Sequence, residues 1–141
     1  MKKRLSISIN KLAKLIDYNR PCISCGSYEP LEAGHYYSVG AFANMQWYIH
    51  NIHGQCHFCN HNLSGNRKAY RIGLVQRYGQ DYVDTLEAFN SKNKLLKLNR
   101  YDIAELTKTI NLFIKVIEHD PQIKNLRNTI DNHFKTQNYY L

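Results

Sequence analysis

The chain has no long apolar run, no glycine after Gly79, and only 11 acidic side chains against 19 lysines and arginines in 141 residues. The first absence excludes a membrane-spanning helix. The second predicts uninterrupted helices in the C-terminal third, because glycine is the residue that most readily breaks them. The third leaves a formal charge of +8 and a pI near 9.4. That excess, carried with 11 tyrosines, suits a polyanionic partner, nucleic acid first, since phosphate contacts supply most non-specific affinity. Proline is scarce as well, with only three, and Pro21 and Pro30 bracket one short segment.

Cysteine is scarce and concentrated. All four lie in two Cys-x-x-Cys pairs, Cys22/Cys25 and Cys56/Cys59, the spacing that lets two thiolates reach one tetrahedral ion from a single turn. The Met1-Lys2-Lys3-Arg4 start and the polar, broken stretch after it lack the apolar core of a secretory leader. A disulfide framework is therefore not expected, and the expectation is a cytoplasmic, reducing compartment with a structural Zn²⁺ on the four sulfurs.

Patterning divides the chain into three segments. Residues 1–20 read as a basic arm followed by a short helix with Leu12, Leu15 and Ile16 on one side. Lys2, Lys3 and Arg4 are expected in a disordered arm that orders on a nucleic-acid backbone. Residues 21–90 hold the two cysteine knuckles. Between them Leu31 to Ile52 reads as two short strands and a loop, rich in Tyr36, Tyr37, Phe42, Trp47 and Tyr48. The second knuckle opens a helix. Arg67 to Tyr78 follows as another, with Tyr70, Leu74 and Val75 on one side, and Asp81 caps a third carrying Val83, Leu86 and Phe89. Residues 91–141 read as a helical extension: Ile103, Leu106, Ile110, Phe113 and Ile117 fall in helical register after an Asp102-x-x-Glu105 capping box, and Pro121 ends the stripe. Ile123, Leu126, Ile130 and Phe134 then predict a last helix, pairing as a helical hairpin or a homodimer surface. Strand aromatics usually fill a core, although Tyr36, Tyr37 and Trp47 also have the shape to stack on bases.

Five short motifs occur in order: Cys22-Ile23-Ser24-Cys25-Gly26, Ala33-Gly34-His35-Tyr36, Asn51-Ile52-His53-Gly54-Gln55-Cys56, Cys59-Asn60 and Leu63-Ser64-Gly65-Asn66. Together they resemble the NinG/Rap family of phage recombination proteins and, more distantly, junction resolvases of the endonuclease VII type. The resemblance covers about Pro21 to Leu86. It implies an α+β fold built on a small zinc-stapled ββα-metal domain of the HNH (His-Me finger) class, with a helical C-terminal extension. It also implies a structure-specific endonuclease that acts on branched DNA such as Holliday junctions in recombination.

The chemistry implied needs a base for water and a divalent ion, Mg²⁺ or Mn²⁺, to neutralise charge at the phosphate. His35 is the candidate base, Asn60 the candidate ligand of the divalent ion, and Asn51 resembles the HNH residue that bridges the loop and orients the base. The pattern usually has Asp or His just before the base as second ligand; here Gly34 stands there. His53, His61, Asn66 and Glu32 are alternatives, and His35 could itself be the ligand with His53 as base. His50, His57, His119 and His133 are expected as surface or packing residues. Arg67, Lys68, Arg71 and Arg77 form a basic helix face expected to grip phosphates. The other readings are a zinc-dependent DNA-binding module without catalysis and an adaptor in a recombination complex.

Overall fold

The computed structural model describes residues 1–92, 96–123 and 125–140. Two antiparallel strands, β1 (Leu31–His35) and β2 (Ile52–Cys56), form its one sheet among the described residues, with Leu31 opposite Cys56 and His35 opposite Ile52. Among the described residues five α-helices surround it: α1 (Lys2–Ile16), α2 (Arg67–Tyr78), α3 (Gln80–Ser91), α4 (Arg100–His119) and α5 (Leu126–Thr136). The architecture is mixed: helices around a small antiparallel sheet, with β1, β2 and a helical turn in chain order.

Four sequence expectations are corrected here. The basic arm is helical from Lys2, because Leu5, Ile9 and Leu12 recur at helical spacing and are fully buried. The alternation Leu5-Ser6-Ile7-Ser8-Ile9 resembles a strand only when read without Leu12; burying each of the three leucine or isoleucine side chains contributes about 2 kcal/mol to the helical solution. The second strand begins at Ile52, so Tyr36 to Asn51 lie in a loop broken by two 3₁₀ turns, Ala43–Met45 and Ile49–Asn51. Helix α4 starts at Arg100, and its capping box is Asn99 with Asp102, their side chains and backbone N–H groups exchanging bonds of 2.9 and 3.0 Å. Helix α5 starts at Leu126, which leaves Ile123 outside it.

Two apolar clusters fill the interior. One joins α1, Trp47, Ile49, Ile52, α4 and α5. The other joins Ile23, Tyr36, Tyr37, Met45 and Tyr48 to α2 and α3. The stripe Ile103, Leu106, Ile110 and Ile117 is therefore consumed within the chain, along with Ile114, while Phe113 sits at its edge. A homodimer would have to use another surface. No helix among the described residues is long and apolar enough to cross a membrane.

A buried ionic junction fastens the C-terminal helix to the sheet. Arg127 of α5 donates to Asp17 Oδ1 (3.1 Å), to the Ile52 carbonyl (2.8 Å) and to the Tyr78 hydroxyl (3.1 Å). Asp17 Oδ2 in turn accepts from the Gly54 N–H at 2.7 Å, on the edge of β2 where the ladder leaves that group free. Burial works against the guanidinium's charge, but the Asp17 carboxylate outweighs it and raises its pKa above the ordinary value.

Candidate metal knuckle and histidine cavity

The loop after Asp17 brings Cys22 and Cys25 against the end of β2, where Cys56 and Cys59 stand. The four sulfurs all lie within 4.8 Å of one another, and Cys25 Sγ is 3.7 Å from Cys56 Sγ. Tetrahedral zinc with bonds of about 2.3 Å spaces its sulfurs about 3.8 Å apart, so the donor set fits the ion. Burial pushes the Cys59 thiol up to about 12 and raises that of Cys22; a bound cation reverses the preference by favouring thiolate. Donors stand ready around the sulfurs: Cys25 N–H to Cys22 Sγ at 3.5 Å and Asn66 Nδ2 to Cys59 Sγ at 3.4 Å. Four cysteines so placed could hold a structural metal such as zinc.

At the opposite end of the sheet His35 closes β1. Its Nε2 lies 3.1 Å from the Gln46 carbonyl. A carbonyl only accepts, so in the neutral ring Nε2 carries the proton and Nδ1 is the basic nitrogen. Burial lowers the His35 pKa, the Gln46 contact opposing it, and the ring is neutral at physiological pH.

Asn51, fully buried, holds the loop that carries Gln46: its Oδ1 accepts from Tyr37 N–H (2.8 Å), and its Nδ2 donates to the carbonyls of Tyr37 (3.0 Å) and Met45 (3.1 Å). Without those bonds the carbonyl that orients His35 would lose its support. Asn60 sits in the π-helical turn Phe58–Asn62 directly after the knuckle and donates from Nδ2 to Glu32 Oε1 at 3.0 Å. His35, Asn60, Gly65 and Arg67 line one cavity of about 270 Å³, with Tyr36 and Phe42 in its wall.

The alternatives for the missing ligand divide. His53 is fully buried, its Nδ1 3.2 Å from the Tyr70 hydroxyl and its Nε2 3.2 Å from the Tyr82 hydroxyl. Burial holds its pKa well below the usual range. It is a core residue and reaches neither metal nor water, which corrects its place as a possible ligand or base. Asn66 turns toward Cys59. Glu32 and His61 are together, Oε1 to Nε2 at 2.8 Å, and His57, expected only on the surface, joins them with Nδ1 2.8 Å from Oε2.

The position of Gly34 is filled from across the sheet. A Cβ there would collide with the Gln55 side chain, whose own Cβ would stand 2.7 Å away. Gln55 Nε2 donates to Ser24 Oγ (2.8 Å) and to the Gly65 carbonyl (2.7 Å), which fixes the amide's orientation and leaves its buried Oε1 without a donor among the described residues. An aspartate at position 34 has no room unless Gln55 moves. Sequence reasoning missed Gln55, because Gly34 stands opposite His53 and only the fold brings the Gln55 side chain diagonally across to it.

Among the basic residues only part of the expected face is free. Arg67 and Lys68 are exposed at the start of α2, with the Arg67 guanidinium 4.4 Å from the Tyr37 ring centroid and 5.0 Å from that of Tyr36. Arg71 pairs with Glu87 at 2.7 Å. Arg77 is corrected: it donates to the Pro21 carbonyl at 2.9 Å and lies 3.8 Å from Asp17, so it belongs to the junction beneath the knuckle. Tyr36, Tyr37 and Trp47 are buried and fill the core; none offers a face to a base.

The family model described as bacteriophage lambda NinG protein matches residues 1–120. The chain belongs to the NinG family. It is 33% identical to the protein ninG of Escherichia phage lambda over 129 residues, 90% of this chain and 57% of that protein. It is 35% identical to the protein ninG of Escherichia phage 933W and 34% to that of Salmonella phage P22, each over 94 residues and 65% of this chain. The chain spans about half the length of the curated relatives it matches. No solved structure matches it. Within the NinG match lie both cysteine pairs, His35, Asn51, Asn60 and the basic start of α2; α5, with Arg127, lies beyond it.

Proposed function

We propose that this NinG-family chain is a metal-dependent DNA endonuclease of the HNH type that hydrolyses phosphodiester bonds in branched DNA during phage recombination. The observation that carries this reading is the shared cavity of His35, Asn60 and Arg67, with His35 Nε2 committed to a carbonyl and Nδ1 left as base. In the proposed step Nδ1 takes a proton from water, the water oxygen attacks phosphorus, and the bond from phosphorus to the 3′ oxygen breaks. Asn60, its Nδ2 committed to Glu32, offers the amide oxygen to a hard divalent ion, Mg²⁺ or Mn²⁺. That ion would supply charge neutralisation at the phosphate and the departing oxygen. Arg67, braced by Tyr36 and Tyr37, supplies a guanidinium to a phosphate beside the cavity, and Lys68 extends the positive surface.

A labelled four-way junction and a matched linear duplex, incubated with Mg²⁺, Mn²⁺ or EDTA, test this. The expected outcome is metal-dependent cutting that favours the junction and falls at least about a hundredfold in His35→Ala, the scale of a lost general base. One observation favours a second reading, a DNA-binding module without catalysis: Gln55 fills the place where a carboxylate ligand would stand beside His35. Tight DNA binding with no cleavage in any metal would select it.

A further inference from the structure

The rim of the knuckle carries a second set of metal-ligand chemistry. The turn Phe58–Asn62 is π-helical, with the Leu63 N–H bonded to the Phe58 carbonyl five residues back at 2.9 Å. Its wide pitch sets residues four apart nearly above one another. His57 and His61 consequently stack, ring centroids 4.4 Å apart and planes 28° from parallel. Facing them from β1, the Glu32 carboxylate divides its two oxygens: Oε2 lies 2.8 Å from His57 Nδ1 and Oε1 2.8 Å from His61 Nε2. All three ligand atoms fall within 4.8 Å of one another, and the side chains are 68%, 59% and 37% exposed for His57, His61 and Glu32. Ions and water reach them freely.

We propose that Glu32, His57 and His61 form a second, exchangeable metal site for a borderline transition-metal ion such as Ni²⁺, Co²⁺ or Zn²⁺. Two imidazoles and one carboxylate suit these ions, whereas Mg²⁺ and Ca²⁺ take oxygen ligands. Metal bonds of about 2.0–2.2 Å space ligand atoms on the order of 3.3 Å apart. The two short contacts thus need to open by about half an ångström as the ion replaces two hydrogen bonds. Three protein ligands leave a position open, unlike the closed four-sulfur site. Asn60, donating to Glu32 Oε1 at 3.0 Å, steadies the carboxylate from outside and places the ion at the border of the His35 cavity. The site stands whether or not the chain cuts DNA, because it is read out by metal content.

The test uses the full chain without a histidine tag, carrying one zinc at its cysteines and freed of excess metal, titrated with Ni²⁺ in a calorimeter. One further equivalent is expected, with affinity lowered at least about tenfold, or 1.4 kcal/mol, in each of Glu32→Gln, His57→Ala and His61→Ala. Cysteine-bound zinc, measured by thiol-reagent titration with and without chelator, is expected unchanged in all three, and His119→Ala is expected to bind Ni²⁺ as the parent does. Absence of a second equivalent overturns the proposal. So does binding that ignores Glu32→Gln and weakens in one histidine variant alone, the behaviour of isolated surface histidines. If His61→Ala disturbs the nearby zinc, Glu32→Gln and His57→Ala decide.

Discussion

The two ends of one short sheet are fastened by different physics. At the Leu31/Cys56 end, four thiols converge with almost no apolar packing around them beyond Leu31, and a metal held by them would supply the cohesion. At the His35/Ile52 end, no ion is needed: Asn51 stitches the loop, Arg127 grips the Ile52 carbonyl, and two apolar clusters close over both. The knuckle end is thus as strong as its metal affinity, and the loop end as strong as its packing and buried bonds. The difference teaches that one strand pair can hand a nearly metal-independent histidine and a metal-dependent asparagine to the same cavity.

The largest effect expected is at the metal end. Cys56→Ser should release the zinc and unfold the sheet and its turn, since structural zinc contributes on the order of 10 kcal/mol. Zinc retention with unchanged circular dichroism would break the comparison outright. At the other end Arg127→Ala should cost about 3–5 kcal/mol in urea unfolding by stranding Asp17, with the zinc still bound in the folded fraction. A loss below about 1 kcal/mol would mean that the junction is not a fastening.

Acid should loosen the loop end next. Burial lowers the His50 pKa to about 4, with Asp131 opposing and Arg127 and Lys135 adding to the shift. The unfolded chain, at about 6.5, then binds the proton first. Stability is complete above that value and is lost as pH falls from 6.5 toward 4, by about 3 kcal/mol from this group. His50→Gln should flatten the slope of melting temperature against pH in that window, because acid release of zinc is common to both proteins. An unchanged slope would remove His50 from the account.

A smaller cost, about 1–3 kcal/mol, is expected for Asn51→Ala, which strands buried backbone groups of Tyr37 and Met45. It sharpens the comparison if the His35 pKa moves, followed by NMR titration, while cysteine-bound zinc is unaffected. The smallest effect is expected for Arg67→Ala: less than about 1 kcal/mol in stability, since the arginine itself is exposed. Its effect on DNA affinity should exceed its effect on folding.

Legibility in the sequence followed from how local each signal was. The cysteine pairs were readable from spacing, and the structure gathers them. The α4 stripe was readable from its period. The helical start at Lys2, expected as a disordered arm, was not legible because five residues from Leu5 to Ile9 fit either period, and burial against α4 decided it. Arg77 looked like its exposed neighbours on α2, yet only tertiary placement puts Asp17 and Pro21 beside it. Glu32 and His61 are legible as separate candidate ligands, but their convergence with His57 and the placing of the Gln55 side chain over Gly34 are not, because cross-strand register and the π-helical pitch are set by packing.

Asp17 and Arg127 are separated by 110 positions along the chain. During synthesis the carboxylate emerges early and waits, with Arg77 and the Gly54 amide nearby, until α5 leaves the ribosome. Closing so long a loop is slow compared with forming any one helix. The sheet that carries His35, and the turn after it that carries Asn60, are therefore among the last of these parts to become rigid.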